Sequence, residues 1–179
     1  MTKLTGLSVG DQAPEFSAID RDGNPVTLAD YKDKILVLYF YGGNIGIICQ
    51  KEACTFRDHY QEFIDSGAEV VGVSPDGLES HQRFTAKNNI PFKLISDKSG
   101  ALAKAFKVPK DLFIIPGRHT FIIDQNQKIA MSFNNQLNAS AHIEESLKVI
   151  EKLKSGGSSP TQQKEHPQAP PMIATSASV

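Results

Sequence analysis

The sequence predicts an α/β protein, a mixed central sheet flanked by helices with a small N-terminal β-hairpin, and three consecutive segments carry that prediction. Residues 35–41, Ile-Leu-Val-Leu-Tyr-Phe-Tyr, form an unbroken apolar and β-prone run, the pattern of a strand covered on both faces and therefore central to its sheet. In residues 51–66, Phe56, Tyr60, Phe63 and Ile64 recur at helical spacing, and Gly67 supplies a stop. Residues 70–74 are a second strand. A strand, a helix and a strand in succession make a βαβ unit, which requires parallel strands and a right-handed crossover.

The remaining elements extend this unit. Asp22-Gly23-Asn24-Pro25 is a turn between residues 16–19 and 26–28, giving the hairpin ahead of the main sheet. Residues 79–88 read as a short amphipathic helix, 94–95 as a short strand and 101–106 as another short helix. Asp124-Gln125-Asn126-Gln127 has the Asx-rich composition of a tight turn and joins antiparallel strands at 119–123 and 128–133. Ile143, Leu147, Ile150 and Leu153 line one face of a terminal helix. From Ser155 the composition shifts to Gly, Ser, Gln and Pro with no apolar periodicity, which cannot bury enough surface to offset its ordering entropy. Residues 1–154 are thus expected to form one domain, and 155–179 a disordered tail.

Composition narrows the function classes. The 179 residues carry 19 Lys+Arg against 20 Asp+Glu, a net charge of -1, which argues against a nucleic-acid binder. No apolar run approaches the roughly 18 residues of a membrane span. The N-terminus has neither an apolar h-region nor an Arg/Ser-rich stretch, so the chain reads as cytoplasmic. Two cysteines cannot make a disulfide scaffold in a chain of this length.

Their position is more informative. Cys49 and Cys54 lie where the buried strand passes through a glycine-rich loop into a helix N-terminus. Unpaired backbone N–H groups and the helix dipole favour an anion there, which would lower the thiol pKa of Cys49. From position alone, a small buried hydrophobe is an equal reading. Cys-x4-Cys without a second ligand pair is a poor zinc motif. On a continuous helix the two Cα atoms stand ~8 to 9 Å apart, beyond the roughly 7 Å a disulfide tolerates, so a bond between them requires unwinding. Gly42, Gly43 and Gly46 loosen the approach to that helix. The same loop between a strand and a helix is also a weak anion- or nucleotide-binding signal, since neither a P-loop nor a Gly-x-Gly-x-x-Gly fingerprint completes it.

Further candidates read as structural. His59 and His81 fall on solvated helix positions, and His119 on a strand-edge position. Glu52 falls in the first helical turn, where an acid suits the dipole. Ser74-Pro75-Asp76 reads as the start of the next helix. Arg118, taken alone, reads as a surface ion pair.

Val9-Gly10-Asp11-Gln12-Ala13-Pro14-Glu15-Phe16, Tyr39-Phe40-Tyr41, Cys49-Gln50-Lys51-Glu52-Ala53-Cys54-Thr55-Phe56-Arg57-Asp58, Gly72-Val73-Ser74-Pro75-Asp76 and the segment 116–124 with Arg118 resemble the peroxiredoxin Q, or bacterioferritin comigratory protein, branch of the peroxiredoxins. The match runs in register from about residue 7 to 153. Val108-Pro109-Lys110-Asp111-Leu112-Phe113 and Asn134-Asn135-Gln136 look most like the branch of chloroplasts and cyanobacteria.

The resemblance implies a thioredoxin-like fold and a thiol peroxidase acting on hydrogen peroxide and organic hydroperoxides. Cys49 would be the peroxidatic cysteine, oxidised to a sulfenic acid, and Cys54 the resolving cysteine. Their intramolecular disulfide would be reduced by thioredoxin or a similar dithiol protein. Arg118 matches the active-site arginine, a permanent cation for thiolate and peroxide oxygen. Gly46, Ile48, Cys49 and Arg118 would contact the peroxide, Ile48 and Cys49 through backbone N–H groups. No cofactor, metal, nucleic acid or membrane is implied, and a monomer is expected over a dimer.

The chain departs from the family's Pro-x-x-x-Thr/Ser-x-x-Cys loop. Gly42 stands for the proline, Gly46 for the hydroxyl residue, and Ile47-Ile48 where the branch has Pro-Gly. Losing one oriented donor costs about 10²- to 10³-fold in rate, and the glycines add chain entropy. The expectation is a slow peroxidase, with a non-catalytic thiol-disulfide switch on the same fold as the alternative.

Overall fold

The computed structural model describes residues 7–43, 47–111 and 115–156, with the side chains of 47–49, 111 and 115–116 excepted. Strands β1 (Ser17–Asp20) and β2 (Pro25–Thr27) pair antiparallel, Ser17 opposite Thr27 and Ile19 opposite Pro25. Their turn is held by Asp20, whose Oδ1 accepts the backbone N–H groups of Asp22 and Asn24 at 2.9 Å each, the local bonding that makes Asp a turn former. A 3₁₀ turn (Leu28–Tyr31) leads into β3 (Ile35–Phe40). Then follow α1 (Ile47–Asp58), α2 (Tyr60–Asp65), β4 (Ala68–Ser74), α3 (Leu78–Asn88), β5 (Lys93–Ser96) and α4 (Ala101–Ala105). The two-residue strands β6 (Lys110–Asp111) and β7 (Ile115–Pro116) pair with each other ahead of β8 (His119–Ile123), β9 (Ile129–Asn134) and α5 (Ala139–Lys154).

Seven strands form one mixed sheet in the order β2-β1-β5-β4-β3-β8-β9. β3, β4 and β5 are parallel neighbours, as the βαβ reading requires, while β8 lies antiparallel against β3. The unbroken apolar run of β3 has its reason in the two layers it separates. Leu36, Leu38 and Phe40 join Leu102, Phe106 and Phe121 on the face covered by α4 and the 3₁₀ turn. Ile35, Val37, Tyr39 and Tyr41 join Ala53, Phe56, Phe63, Phe84, Ile143 and Ile150 on the face covered by α1, α2, α3 and α5. Phe56 stacks on Tyr39 at 4.3 Å between ring centroids, which seats α1 directly over β3.

Some expectations need correction. The helix expected over 51–66 starts earlier, at Ile47, and breaks at His59 into α1 and α2. Apolar periodicity registers only the turns that face the core, so it missed the first turn. The break resets the helical phase, and Phe63 takes the core position while Ile64 is exposed. The β6–β7 pair was not anticipated, being too short for a period-two pattern. The expected tail lies outside the described residues beyond Gly156, and Ser155 caps α5. Among the described residues no helix is long and apolar enough to cross a membrane.

Candidate active site

β3 and β4 are parallel, so their C-terminal ends open on the same edge of the sheet, and α1 begins there. Tyr41 continues the pairing past β3, its N–H donating to Val73 O at 3.0 Å. Gly43 then turns the chain at φ +130, and a Cβ there would sit 3.0 Å from Asp76 Oδ2. Both the backbone angle and the close approach require glycine. Gly46 lies outside the described residues. Ile48 and Cys49 are the second and third residues of α1, within the first turn, where backbone N–H groups have no intrahelical acceptor.

Cys54 is the eighth residue of the same uninterrupted helix, so the two cysteines cannot be bridged without unwinding it. Cys54 is a free, half-buried thiol whose Sγ donates to Asn88 Oδ1 at 3.9 Å, at the C-terminal end of α3. Arg57 fastens the same junction, its Nη1 donating to Asn88 O at 2.7 Å.

Arg118 sits in the link between β7 and β8. Gly117 approaches Gln136 and Pro109 so closely that a Cβ would come within 2.7 and 2.8 Å of them. Gln136 then fixes Arg118 twice, accepting its backbone N–H on Oε1 at 3.0 Å and its Nη1 on the main-chain oxygen at 2.8 Å. On its inner side Nε lies 3.1 Å from Oε2 of Glu52. Glu52, the partner that holds the guanidinium, follows Cys49 by three residues, about one turn along α1.

Three sequence readings are corrected here. Arg118 is no surface ion pair but a buried one. Glu52 is not a first-turn acid answering the dipole: it is the sixth residue of α1 and fully buried. Burial pushes its carboxyl up to about 8, with Arg118 pulling in the opposite direction. His81 is not solvated either. It is buried between Tyr41, whose hydroxyl lies 3.5 Å from Nδ1, and Ser74, whose hydroxyl lies 3.4 Å from Nε2. A polar residue at helical spacing gives no sign of which face it takes, so the sequence does not mark either group as buried. His59 does face solvent, paired with Glu62 at 2.8 Å.

Ser74 closes β4 and α3 starts at Leu78, so Ser74-Pro75-Asp76 precede that helix rather than start it, and Asp76 accepts from the hydroxyls of Ser74 and Ser80. His119 opens β8, internal to the sheet, where Nε2 lies 2.8 Å from Ser132 Oγ and burial lowers its pKa to about 4.

Sequence reasoning missed His142. Its Nε2 donates to Asn135 O at 2.8 Å, which leaves Nδ1 to accept from Thr120 Oγ1 at 2.8 Å, with Glu52 Oε1 4.0 Å away. Nothing in its neighbourhood of sequence marks it, because its partners come from β8, the segment after β9, and α1. Among the described residues no cluster of three or more His, Cys, Asp or Glu could hold a metal ion.

Both cysteines lie on α1, the helix whose Glu52 pairs with the buried Arg118. The AhpC/TSA family model matches residues 9–132. Peroxiredoxin Q, chloroplastic, of Sedum lineare is 43% identical over 149 residues, covering 83% of this chain and 80% of that one. The peroxidoxin BcpB of Mycobacterium tuberculosis superposes with a TM-score of 0.76 at 30% identity, over 82% of this chain and 98% of that one. A PrxQ mutant of Xylella fastidiosa does so with 0.74 at 31% identity, over 85% and 98%. The fold is therefore thioredoxin-like, as the resemblance implied. The cytoplasmic reading of the N-terminus is overturned, since the relatives from Sedum, Oryza and Arabidopsis are all designated chloroplastic. The composition of the first residues was too weak a sign to set against them. With the family model spanning well over half of its length and relatives above 40% identity, this chain belongs to the AhpC/TSA family, in its peroxiredoxin Q branch of thiol-dependent peroxidases.

Proposed function

We propose that this chain reduces hydrogen peroxide and organic hydroperoxides with Cys49 as nucleophile, Cys54 as resolving thiol and Arg118 as the cation at the reacting centre. The observation that carries the reading is the Glu52–Arg118 pair, which fixes a buried guanidinium against α1 through a residue about one helical turn from Cys49. The Cys49 thiolate attacks one oxygen of ROOH; the S–O bond forms as O–O breaks, and RO⁻ leaves to take up a proton. Arg118 and the backbone N–H groups of Ile48 and Cys49 stabilise the thiolate and the charge developing on oxygen. The Cys54 thiol then attacks the sulfenic sulfur, forming S–S and releasing water, after α1 unwinds between the two residues. A dithiol protein of the thioredoxin type takes the disulfide by exchange and is itself oxidised. The designation of the relatives supports a plastid setting.

Gly42 and Gly46 make this a slow member of its branch. The same substitution favours a second reading, a thiol-disulfide switch in which the unwound α1 is the signal, because the redox couple needs both cysteines but not the proline and the hydroxyl.

Stopped-flow mixing of the reduced protein with hydrogen peroxide and with an alkyl hydroperoxide separates the readings, with thiol counting and intact mass on Cys49→Ser and Cys54→Ser variants. The peroxidase reading requires oxidation well above the rate of a free thiolate, dependent on Cys49 and ending in an intramolecular disulfide. Oxidation no faster than free cysteine sinks it, and reversible disulfide formation with a thiol-disulfide couple would then identify a switch.

A further inference from the structure

A cavity of about 630 Å³ lies between Pro75 and the segment 97–110, and four of its lining residues are Lys98, Lys104, Lys107 and Lys110. Four cations in one groove are a marked local excess in a chain whose charges otherwise cancel to -1. All four are exposed, and none forms an ion pair with a described residue. Three described carboxylates of the flanking segments have other partners. Asp97 is turned inward, its two oxygens accepting the N–H groups of Leu102 and Ala103 at 3.1 and 2.9 Å. Asp76 accepts from Ser74 and Ser80, and Glu79 pairs with Arg83 at 2.9 Å.

Two of the lysines occupy positions that local structure does not favour. Lys107 has φ +53 and closes α4 in a left-handed cap, its N–H donating to Lys104 O and that of Val108 to Ala103 O. Glycine adopts that conformation at least cost. Lys98 places its ammonium 2.9 Å from where a Cβ on Gly77 would sit, over the N-cap of α3, the end of the dipole that repels cations. The ammonium of Lys98 and the N-terminal end of α3 add their positive potentials on this side of the groove.

The groove also borders the candidate active site at two places. Pro75 precedes Asp76, which crowds Gly43 in the loop before α1. On the other side, Val108 and Lys110 flank Pro109, whose carbonyl accepts the N–H of Gly117 at 2.7 Å, next to Arg118. Yet none of the described residues lining the groove belongs to α1, the helix that must unwind to join Cys49 to Cys54. A reductant arriving at that disulfide meets a rearranged helix and needs a foothold that does not move with it.

We propose that this lysine groove is the docking surface for an acidic face of the dithiol protein that reduces the Cys49–Cys54 disulfide, an inference that rests on the peroxidase reading above. Open, exposed lysines on separate elements suit steering and orienting of a protein surface, rather than the closed convergence of donors that a small anion needs.

The test is steady-state turnover of hydrogen peroxide by the full chain and by Lys104→Glu/Lys107→Gly, with an acidic thioredoxin and, separately, with dithiothreitol. Lys107→Gly suits the left-handed cap, and dithiothreitol-supported turnover reports whether the reversed charge of Lys104→Glu in the last turn of α4 has disturbed the fold. The expected result is a KM for thioredoxin raised roughly 5- to 10-fold, a difference that shrinks as salt screens the groove, while dithiothreitol-supported turnover stays within about twofold. An unchanged thioredoxin KM with the salt dependence of the parent, alongside intact dithiothreitol turnover, overturns the groove and leaves the peroxidase reading standing. Absence of dithiothreitol-supported turnover in the parent chain overturns both.

Discussion

Nε of Arg118 lies 3.1 Å from Oε2 of Glu52, and the two side chains are 8% and 0% exposed. A guanidinium keeps its proton at any working pH, whereas the carboxyl can take one up. The titrating partner in this buried pair is therefore Glu52, and its protonation decides how much of the positive charge of Arg118 remains unshared beside α1.

The stability of the protein should record that titration. Burial raises the carboxyl of Glu52 from 4.5 to about 8, so the native state binds the proton more tightly than the unfolded chain. The contribution is fully present below about pH 4.5 and is lost as pH rises through about 8. His119, held near 4, and His81 and His142, lowered by burial, act in the opposite sense, but only below their unfolded value of about 6.5. Between pH 6.5 and 8 the slope therefore belongs to Glu52, and urea unfolding should show stability falling there by up to ~1.4 kcal/mol per unit. Glu52→Gln should flatten it; an equal slope in the variant would assign the effect to another group.

Arg118→Met should cost about 10²- to 10³-fold in the second-order rate with peroxide, because the cation proposed for the reacting centre is lost. Its effect on folding should depend on pH. A buried carboxylate left alone costs about 3 to 5 kcal/mol, but Glu52 can escape that cost by protonation. Chemical unfolding at pH 6 should accordingly show little loss, and at pH 9 a large one. Equal losses at both values would mean that Glu52 does not carry the charge.

How much of this was legible in the sequence depended on whether a residue acts through a pattern or through a partner. β3 announced itself because seven consecutive apolar, β-prone residues fit little besides a strand buried on both faces, and the β1–β2 turn because Asp-Gly-Asn-Pro leaves the chain few conformations besides a turn. Cys49 was placed by chain context alone, at the entry to a helix. Arg118 was legible only through the resemblance. Glu52, His81 and His142 were misread or missed since nothing local distinguishes a buried polar residue whose partners come from other elements, as Tyr41 does for His81, Thr120 for His142 and Arg118 for Glu52.

Disulfide formation should be limited by the junction that holds Cys54 in place. The Arg57 Nη1–Asn88 O bond ties α1 to the end of α3, and a bond of this kind contributes about 1 kcal/mol. Arg57→Ala should shift α1 toward its unwound form and speed conversion of the Cys49 sulfenic acid to the disulfide by roughly fivefold, followed by rapid quench and intact mass. An unchanged or slower conversion in Arg57→Ala would show that this bond does not limit the step.

The active-site loop offers the sharpest reversal. If the missing hydroxyl limits the first step, Gly46→Thr should raise the rate with hydrogen peroxide by about 10²-fold, the value of one oriented donor at a preorganised centre. Gly46→Ala supplies the same restriction of the backbone without the hydroxyl, so it should recover only the small part owed to chain entropy. Stopped-flow traces of the two variants beside the parent separate the causes. A gain shared equally by Ala and Thr would assign the deficit to loop freedom. No gain in either would return attention to Gly42, where the family's proline is absent and where Gly43, at φ +130 against Asp76, leaves the chain little room to compensate.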